Sequence, residues 1–235
     1  MNYVDPKSYK ESAERVLVLA ERLLLIKRAG HYSDEDARGV ALTNCRSVSL
    51  YAVMILNILT IGEERKISSD DFKRLVGLTR GQARDAGDIL EKTTRLAFLV
   101  LFQFQIENLL RNLLHEVNGG DPLRQFYNLA REFTQTLSDP TRKLEIMNTA
   151  ALIRNSLHAN GVHHGYRGSS TFLEISGCRF EFRHLQKVSC AGWGHIVVAL
   201  DASTSVVEEI LNLPQVRSLH EPVMDQYAWE EATRP

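Results

Sequence analysis

Arginine, asparagine and histidine side chains lie close together along the chain near residue 154. Arg154 and His158 are four residues apart, and Asn155 follows the arginine directly. Residues four apart on a helix project from the same face, about one turn from each other. A guanidinium binds two phosphate oxygens through its planar fork, and an imidazole accepts or donates a proton near neutral pH. The pattern therefore indicates chemistry on a phosphodiester.

The same spacing occurs a second time, so spacing alone does not define the site. Arg111 and His115 are also four residues apart, inside a long predicted helix that ends at Asn118 and Gly119. For that pair we expect only a solvated helix face. The pair at 154 likewise precedes an Asn-Gly stop, at residues 160–161, and it differs because His163 and His164 come directly after that stop.

The segment 153–161, Ile-Arg-Asn-Ser-Leu-His-Ala-Asn-Gly, resembles the signature of HEPN domains, which consists of an arginine, a polar residue and a downstream histidine near a helix end. The resemblance covers about residues 90–213. It implies a helical bundle that dimerises so that two motifs face one cleft. Many members of that family are metal-independent endoribonucleases with toxin–antitoxin, defence or RNA-processing roles. Three residues separate Arg154 from His158 here, where the family usually has four to six.

The resemblance also assigns roles to individual residues. Arg154, Asn155 and His158 become the catalytic set, with no metal and no cofactor. His163 or His164 is an accessory residue that could replace His158. Glu107 matches an acid in the preceding helix, although an ion pair with an arginine explains that residue equally well. The expected reaction is attack by the RNA 2′-hydroxyl, which gives a 2′,3′-cyclic phosphate.

Two other functions remain open from the sequence. A non-catalytic HEPN-like protein would bind RNA or serve as a protein-interaction scaffold. Residues 68–90 also resemble a helix-turn-helix, with Arg80, Gln82 and Arg84 near the start of the second helix, which would make the chain a DNA-binding regulator. A capped junction of this kind is equally what any helical bundle needs.

Two helices that bear on the site have clear start signals. Thr79 and Gln82 form a capping box, which predicts a long helix that runs on into the core. Asp139 followed by proline predicts a helix that reaches about His158, where the Asn-Gly stop follows. A further helix is expected from residue 122 to about residue 137.

Beyond residue 161 the pattern changes to alternation of apolar and polar residues. Strands at 171–175 and 179–183 form a hairpin, and a last helix runs from about 195 to 213. The predicted fold is mainly α, an antiparallel helical bundle with a small β-hairpin before the last helix. We divide it into an N-terminal helical extension at 1–88, packed on or contiguous with the bundle, a HEPN-like domain at 89–215, and an acidic tail at 216–235.

Composition indicates in which cellular compartment the protein acts and what kinds of partner it binds. The chain has 235 residues, 44% of them hydrophobic, and a formal net charge of −1. No membrane crossing and no signal peptide are expected, and three cysteines without Cys-x-x-Cys spacing fit a reducing cytoplasm. Residues 154–187 contain five Arg or Lys but only two Glu. The expected partners are RNA, a second copy of the chain and an antitoxin or regulatory protein.

Overall fold

The computed structural model describes residues 8–63, 68–77, 79–119, 125–219 and 222–224. Helices dominate these residues, and a two-stranded antiparallel sheet precedes the last long helix. The predicted fold class is confirmed. In chain order the elements are α1 (Tyr9–Ala29), α2 (Ala37–Glu63), α3 (Ser69–Val76), α4 (Arg80–Asn118), α5 (Phe126–Thr134), α6 (Pro140–His158), β1 (Thr171–Ile175), β2 (Cys178–Phe182), α7 (Trp193–Leu211) and α8 (Pro214–Arg217).

α1 and α2 form a helical hairpin. Ser8 caps α1 by accepting the backbone N–H of Glu11 at 3.2 Å. At the start of α2, Asp36 accepts the backbone N–H of Arg38 at 2.8 Å and also binds the Arg38 guanidinium. Both side chains of this ion pair are buried. Arg38 also donates to the carbonyl of Val216, so the pair joins the helical hairpin to α8.

α4 crosses the boundary at residue 88 that separates the predicted domains. The capping box holds, because Thr79 accepts the N–H of Gln82 while the Gln82 side chain accepts the N–H of Thr79. The helix then continues for 39 residues to Asn118, and Gly119 ends it in a left-handed conformation. Its side chains share one hydrophobic core with those of α1, α2 and α7. The first two helices are therefore continuous with the bundle.

Among the described helices, α2 alone is long and apolar enough to cross a membrane. Length and composition do not separate a membrane span from a core helix. α2 packs against α1 on one side and α4 on the other, and its buried residues belong to the common core. Its side chains Tyr51, Met54, Ile58 and Ile61 are exposed, so α2 is only partly buried in the bundle.

The hairpin packs on α7 and precedes it directly. Its inward residues are buried, among them Leu173, Phe180 and Phe182. Thr171 pairs with Phe182 at the open end, and Ile175 pairs with Cys178 at the turn. The open end lies where the chain arrives from α6, so the fold places this end of the hairpin beside the motif.

Candidate functional site

α6 supplies the motif residues from its last turn. Asp139 caps the start of the helix, and a proline occupies its first turn, as the sequence predicts. Ile153 and Ser156 face inward and are buried, whereas His158 is exposed and Arg154 is partly exposed. The helical period thus directs the arginine and the histidine away from the core, where a polymer can reach them.

Among the described residues, Arg154 forms a side-chain hydrogen bond with Asn155, which follows it in the chain. Its Nε donates to Oδ1 of Asn155 at 3.2 Å. No carboxylate of the described residues lies within ion-pair distance of its guanidinium. The terminal nitrogens of Arg154 are therefore available to bind an anion, and Asn155 orients the group from the side of Nε.

His163 lies beneath the surface. Its side chain is 4% exposed, and Nδ1 lies 3.5 Å from Oγ of Ser156. Since that hydroxyl already donates to the Leu152 carbonyl, we assign the proton of the contact to Nδ1 of His163. Burial, with smaller contributions from His184 and His164, lowers the pKa of His163. The ring therefore stays neutral and supports the end of α6 from within.

His164, the next residue along the chain, is exposed. Of the two accessory histidines proposed from the sequence, only His164 is placed where it could contact a substrate directly.

Glu107 forms an ion pair one helical turn along α4. Its Oε1 lies 2.6 Å from the guanidinium of Arg111, and both side chains are mostly buried. Glu107 therefore forms the ion pair with an arginine that the sequence analysis gave as the alternative to a catalytic role. It also distinguishes the two Arg-x-x-x-His pairs, because the Arg111 guanidinium is occupied by a carboxylate and that of Arg154 is not.

The loop after α6 is joined to the segment after β2 by backbone hydrogen bonds. Val162 bridges to Lys187, the N–H of His163 donates to Gln186, and the N–H of Leu185 donates to His163. The connection joins residues 185–188 to the loop that follows the end of α6. Sequence composition indicated a cationic stretch, but no sequence signal showed that these two loops pair.

No protein-family model, curated protein or solved structure matches the chain. The HEPN interpretation consequently rests on the motif residues and remains a prediction. Among the residues that the structure describes, no group of three or more His, Cys, Asp or Glu is placed to hold a metal ion.

The helix-turn-helix interpretation meets a structural difficulty. The side chains of Arg80 and Arg84 lie outside the described residues, whereas that of Gln82 serves the capping box. The helix they begin continues into the core as α4 instead of ending as a separate recognition helix. A capped junction within a bundle accounts for the pattern.

A polar cavity of about 450 Å³ opens elsewhere, between the loop that joins α1 to α2 and the segment that follows α7. Tyr32, Arg38, Asn212 and Arg217 contribute to its wall. Arg38 is held by Asp36 and lies 4.7 Å from the centre of the Tyr32 ring. The motif residues of α6 do not line this cavity.

Proposed function

We propose that the protein is a metal-independent endoribonuclease whose site is formed by Arg154, Asn155 and His158. The observation that supports it best is the uncompensated guanidinium of Arg154 one helical turn from the exposed imidazole of His158. The loop that follows the end of α6 pairs with Lys187, whose positive charge has no carboxylate within ion-pair distance among the described residues. Arg111 and His115 have the same spacing, but the Arg111 guanidinium is paired with Glu107.

The chemistry follows from the groups present. His158 removes the proton of a ribose 2′-hydroxyl, and the oxygen attacks the adjacent phosphorus. The bond from phosphorus to the 5′-oxygen breaks, and that oxygen takes up a proton. The products are a 2′,3′-cyclic phosphate and a 5′-hydroxyl. Arg154 stabilises the additional negative charge on the phosphoryl oxygens in the transition state.

We expect the active site to be formed by two copies of the chain. Facing motifs would allow His158 of one copy to act as base while the other copy protonates the leaving 5′-oxygen. We place the protein in the cytoplasm, where buried thiols stay reduced, as a toxin or a defence or stress effector with a neutralising protein partner. Light scattering on the purified chain tests for the homodimer.

The decisive experiment measures RNA cleavage in excess EDTA. His158→Ala should lower the rate by about 10²-fold or more, and Arg154→Ala by about 10² to 10³-fold. His115→Ala and Arg28→Ala are matched controls, since both residues are exposed in the last turn of another helix, and both should retain activity. A DNA strand of the same sequence, lacking the 2′-hydroxyl, should remain intact.

The outcome also separates nuclease from scaffold. Cleavage that persists in both α6 variants would show that another protein or another site is responsible. RNA binding without cleavage would identify the non-catalytic HEPN-like alternative, in which the same surface holds RNA or a protein partner and performs no reaction.

A further inference from the structure

Three large apolar side chains are exposed around the open end of the hairpin. Tyr166 is 78% exposed, Leu185 64% and Phe172 53%. The backbone N–H of His184 donates to Oγ of Ser170 at 3.1 Å, which ties together the segments that carry them. We call Tyr166, Phe172 and Leu185 the open-end surface. Exposed aromatic rings grouped in this way commonly mark a binding site.

Cations surround the same surface. The guanidinium of Arg167 lies 5.1 Å from the centre of the Tyr166 ring. Neither Arg167 nor Lys187 has a carboxylate within ion-pair distance among the described residues. Arg183, by contrast, is bound to Glu181. Arg167 beside an exposed ring, and exposed Lys187 two residues after Leu185, are therefore available to a polyanion.

The backbone holds these side chains outward in unusual conformations. Arg167 and Leu185 have φ of 53° and 56°, in the left-handed region that bulky residues rarely adopt. Hydrogen bonds hold both turns, since Gly168 donates to Gly165 and Leu185 donates to His163. Leu185 gains no burial from its conformation. Such outliers are concentrated where a fold positions groups for binding.

The open-end surface is joined to the motif by a short path. Ser156 lies on α6 between Arg154 and His158, and its hydroxyl contacts His163 at 3.5 Å. Tyr166 follows His163 by three residues, which span at most about 10 Å when fully extended. The loop that supports the end of α6 from within therefore leads, three residues later, to the open-end surface, and we expect a strand bound at Arg154 to reach that surface.

We propose that this surface binds single-stranded RNA, with unpaired bases stacked on Tyr166 and Phe172 and phosphates on Arg167 and Lys187. The inference rests on the proposed ribonuclease function and specifies its substrate class. Aromatic rings bind bases only when the base faces are free, which excludes a duplex. The neighbouring cations bind the backbone of any sequence, so recognition depends on strandedness.

The test uses the full chain with His158→Ala, so that RNA stays intact during titration. A fluorescent 12-nucleotide unpaired RNA should bind at least tenfold more tightly than the same sequence in a duplex. In that background, Tyr166→Ala and Phe172→Ala should each weaken single-strand binding about tenfold or more. Tyr127→Ala is the matched control, because Tyr127 is an exposed tyrosine on α5.

The salt dependence provides a second readout. Lys187→Ala should reduce the slope of log affinity against log salt by about 0.7, the value for one phosphate contact on a single strand. Lys10→Ala, an exposed lysine on α1, should leave the slope unchanged. Circular dichroism on each variant verifies that the fold is intact.

The outcomes separate this inference from the function on which it rests. Unchanged single-strand affinity in both aromatic variants, or equal affinity for duplex RNA, overturns the open-end surface, even where the EDTA cleavage assay succeeds. Tight single-strand binding that both aromatic variants weaken supports the surface, even if no cleavage is found. A folded protein without affinity for any RNA overturns the surface.

Discussion

The hydroxyl of Ser156 and Nδ1 of His163 lie 3.5 Å apart and join the last turn of α6 to the loop that follows it. Ser156 is buried on the side of α6 away from Asn155 and His158. The contact therefore fixes the helix end from inside while the motif residues face outward. His158 is exposed, whereas His163, five residues later in the sequence, is buried.

Buried His163 should make the stability of the protein depend on pH. Its pKa in the folded protein is lowered, so below about 6.5 the unfolded chain binds a proton that the folded chain resists. The free energy of unfolding should fall as the pH is lowered from 7.5 to 5.5. His163→Gln should reduce this dependence, as measured by urea unfolding at the two values.

The exposed neighbour supplies the control for that measurement. His164→Gln should keep a pH dependence close to that of the parent protein, because its ring is not buried. A His163→Gln variant with the same loss of stability between pH 7.5 and 5.5 as the parent would show that the buried imidazole does not cause it.

Asn155 should act on catalysis through Arg154. Its Oδ1 accepts the hydrogen bond from Nε, and a bond of this kind to a charged group contributes about 1.5 to 3 kcal/mol. Under the proposed mechanism, Asn155→Ala should lower kcat about tenfold. Asn155→Asp should lower it further, since a carboxylate beside Arg154 competes with phosphate. Cleavage rates of the two variants at saturating RNA test the order, and equal rates for Asp and Asn would contradict it.

The buried pair of Asp36 and Arg38 should be required for stability. Arg38→Met leaves the Asp36 carboxylate without its partner in the interior and should cost about 3 kcal/mol or more. Denaturant unfolding of the variant measures this loss. Arg28→Met, on the exposed end of α1, should change the free energy of unfolding by about 0.5 kcal/mol or less. If both substitutions lowered the free energy of unfolding by a similar amount, the buried pair would not have the stabilising role that we assign to it.

The three cysteines should be unreactive in the native protein. All three are buried, and burial raises the pKa of Cys45 and of Cys190, which disfavours the reactive thiolate. Ellman's reagent should label the native chain slowly and the denatured chain at three sites. Rapid labelling of even one thiol without denaturant would show that the core opens more readily than its packing indicates.

Local signals in the sequence were sufficient to predict α6 and the hairpin, the elements that position the candidate site residues. The cap at Asp139 and the Asn-Gly stop at 160–161 bracket α6, whose observed end at His158 agrees with the prediction. The hairpin also forms where alternation predicts it, with β2 shifted by one residue. Caps, stops and alternation act within a few residues, so one sequence suffices to locate them.

Other features depended on contacts that are distant along the chain. α5 begins at Phe126, later than the proline at 122 suggests, and residues 120–124 lie outside the described residues. The inward placement of His163 depends on the pairing of its backbone with residues 185 and 186. That pairing closes a loop of more than twenty residues, so no pattern of neighbouring residues could predict it.

α4 is exposed to solvent along its first part and buried in the core further along the helix. At about 1.5 Å per residue its 39 residues extend for about 58 Å. Side chains between residues 98 and 114 are mostly buried, whereas those described from 85 to 93 are mostly exposed. The first third can therefore unwind and re-form without disturbing the remainder, so its amide protons should exchange with solvent well before those that adjoin the core.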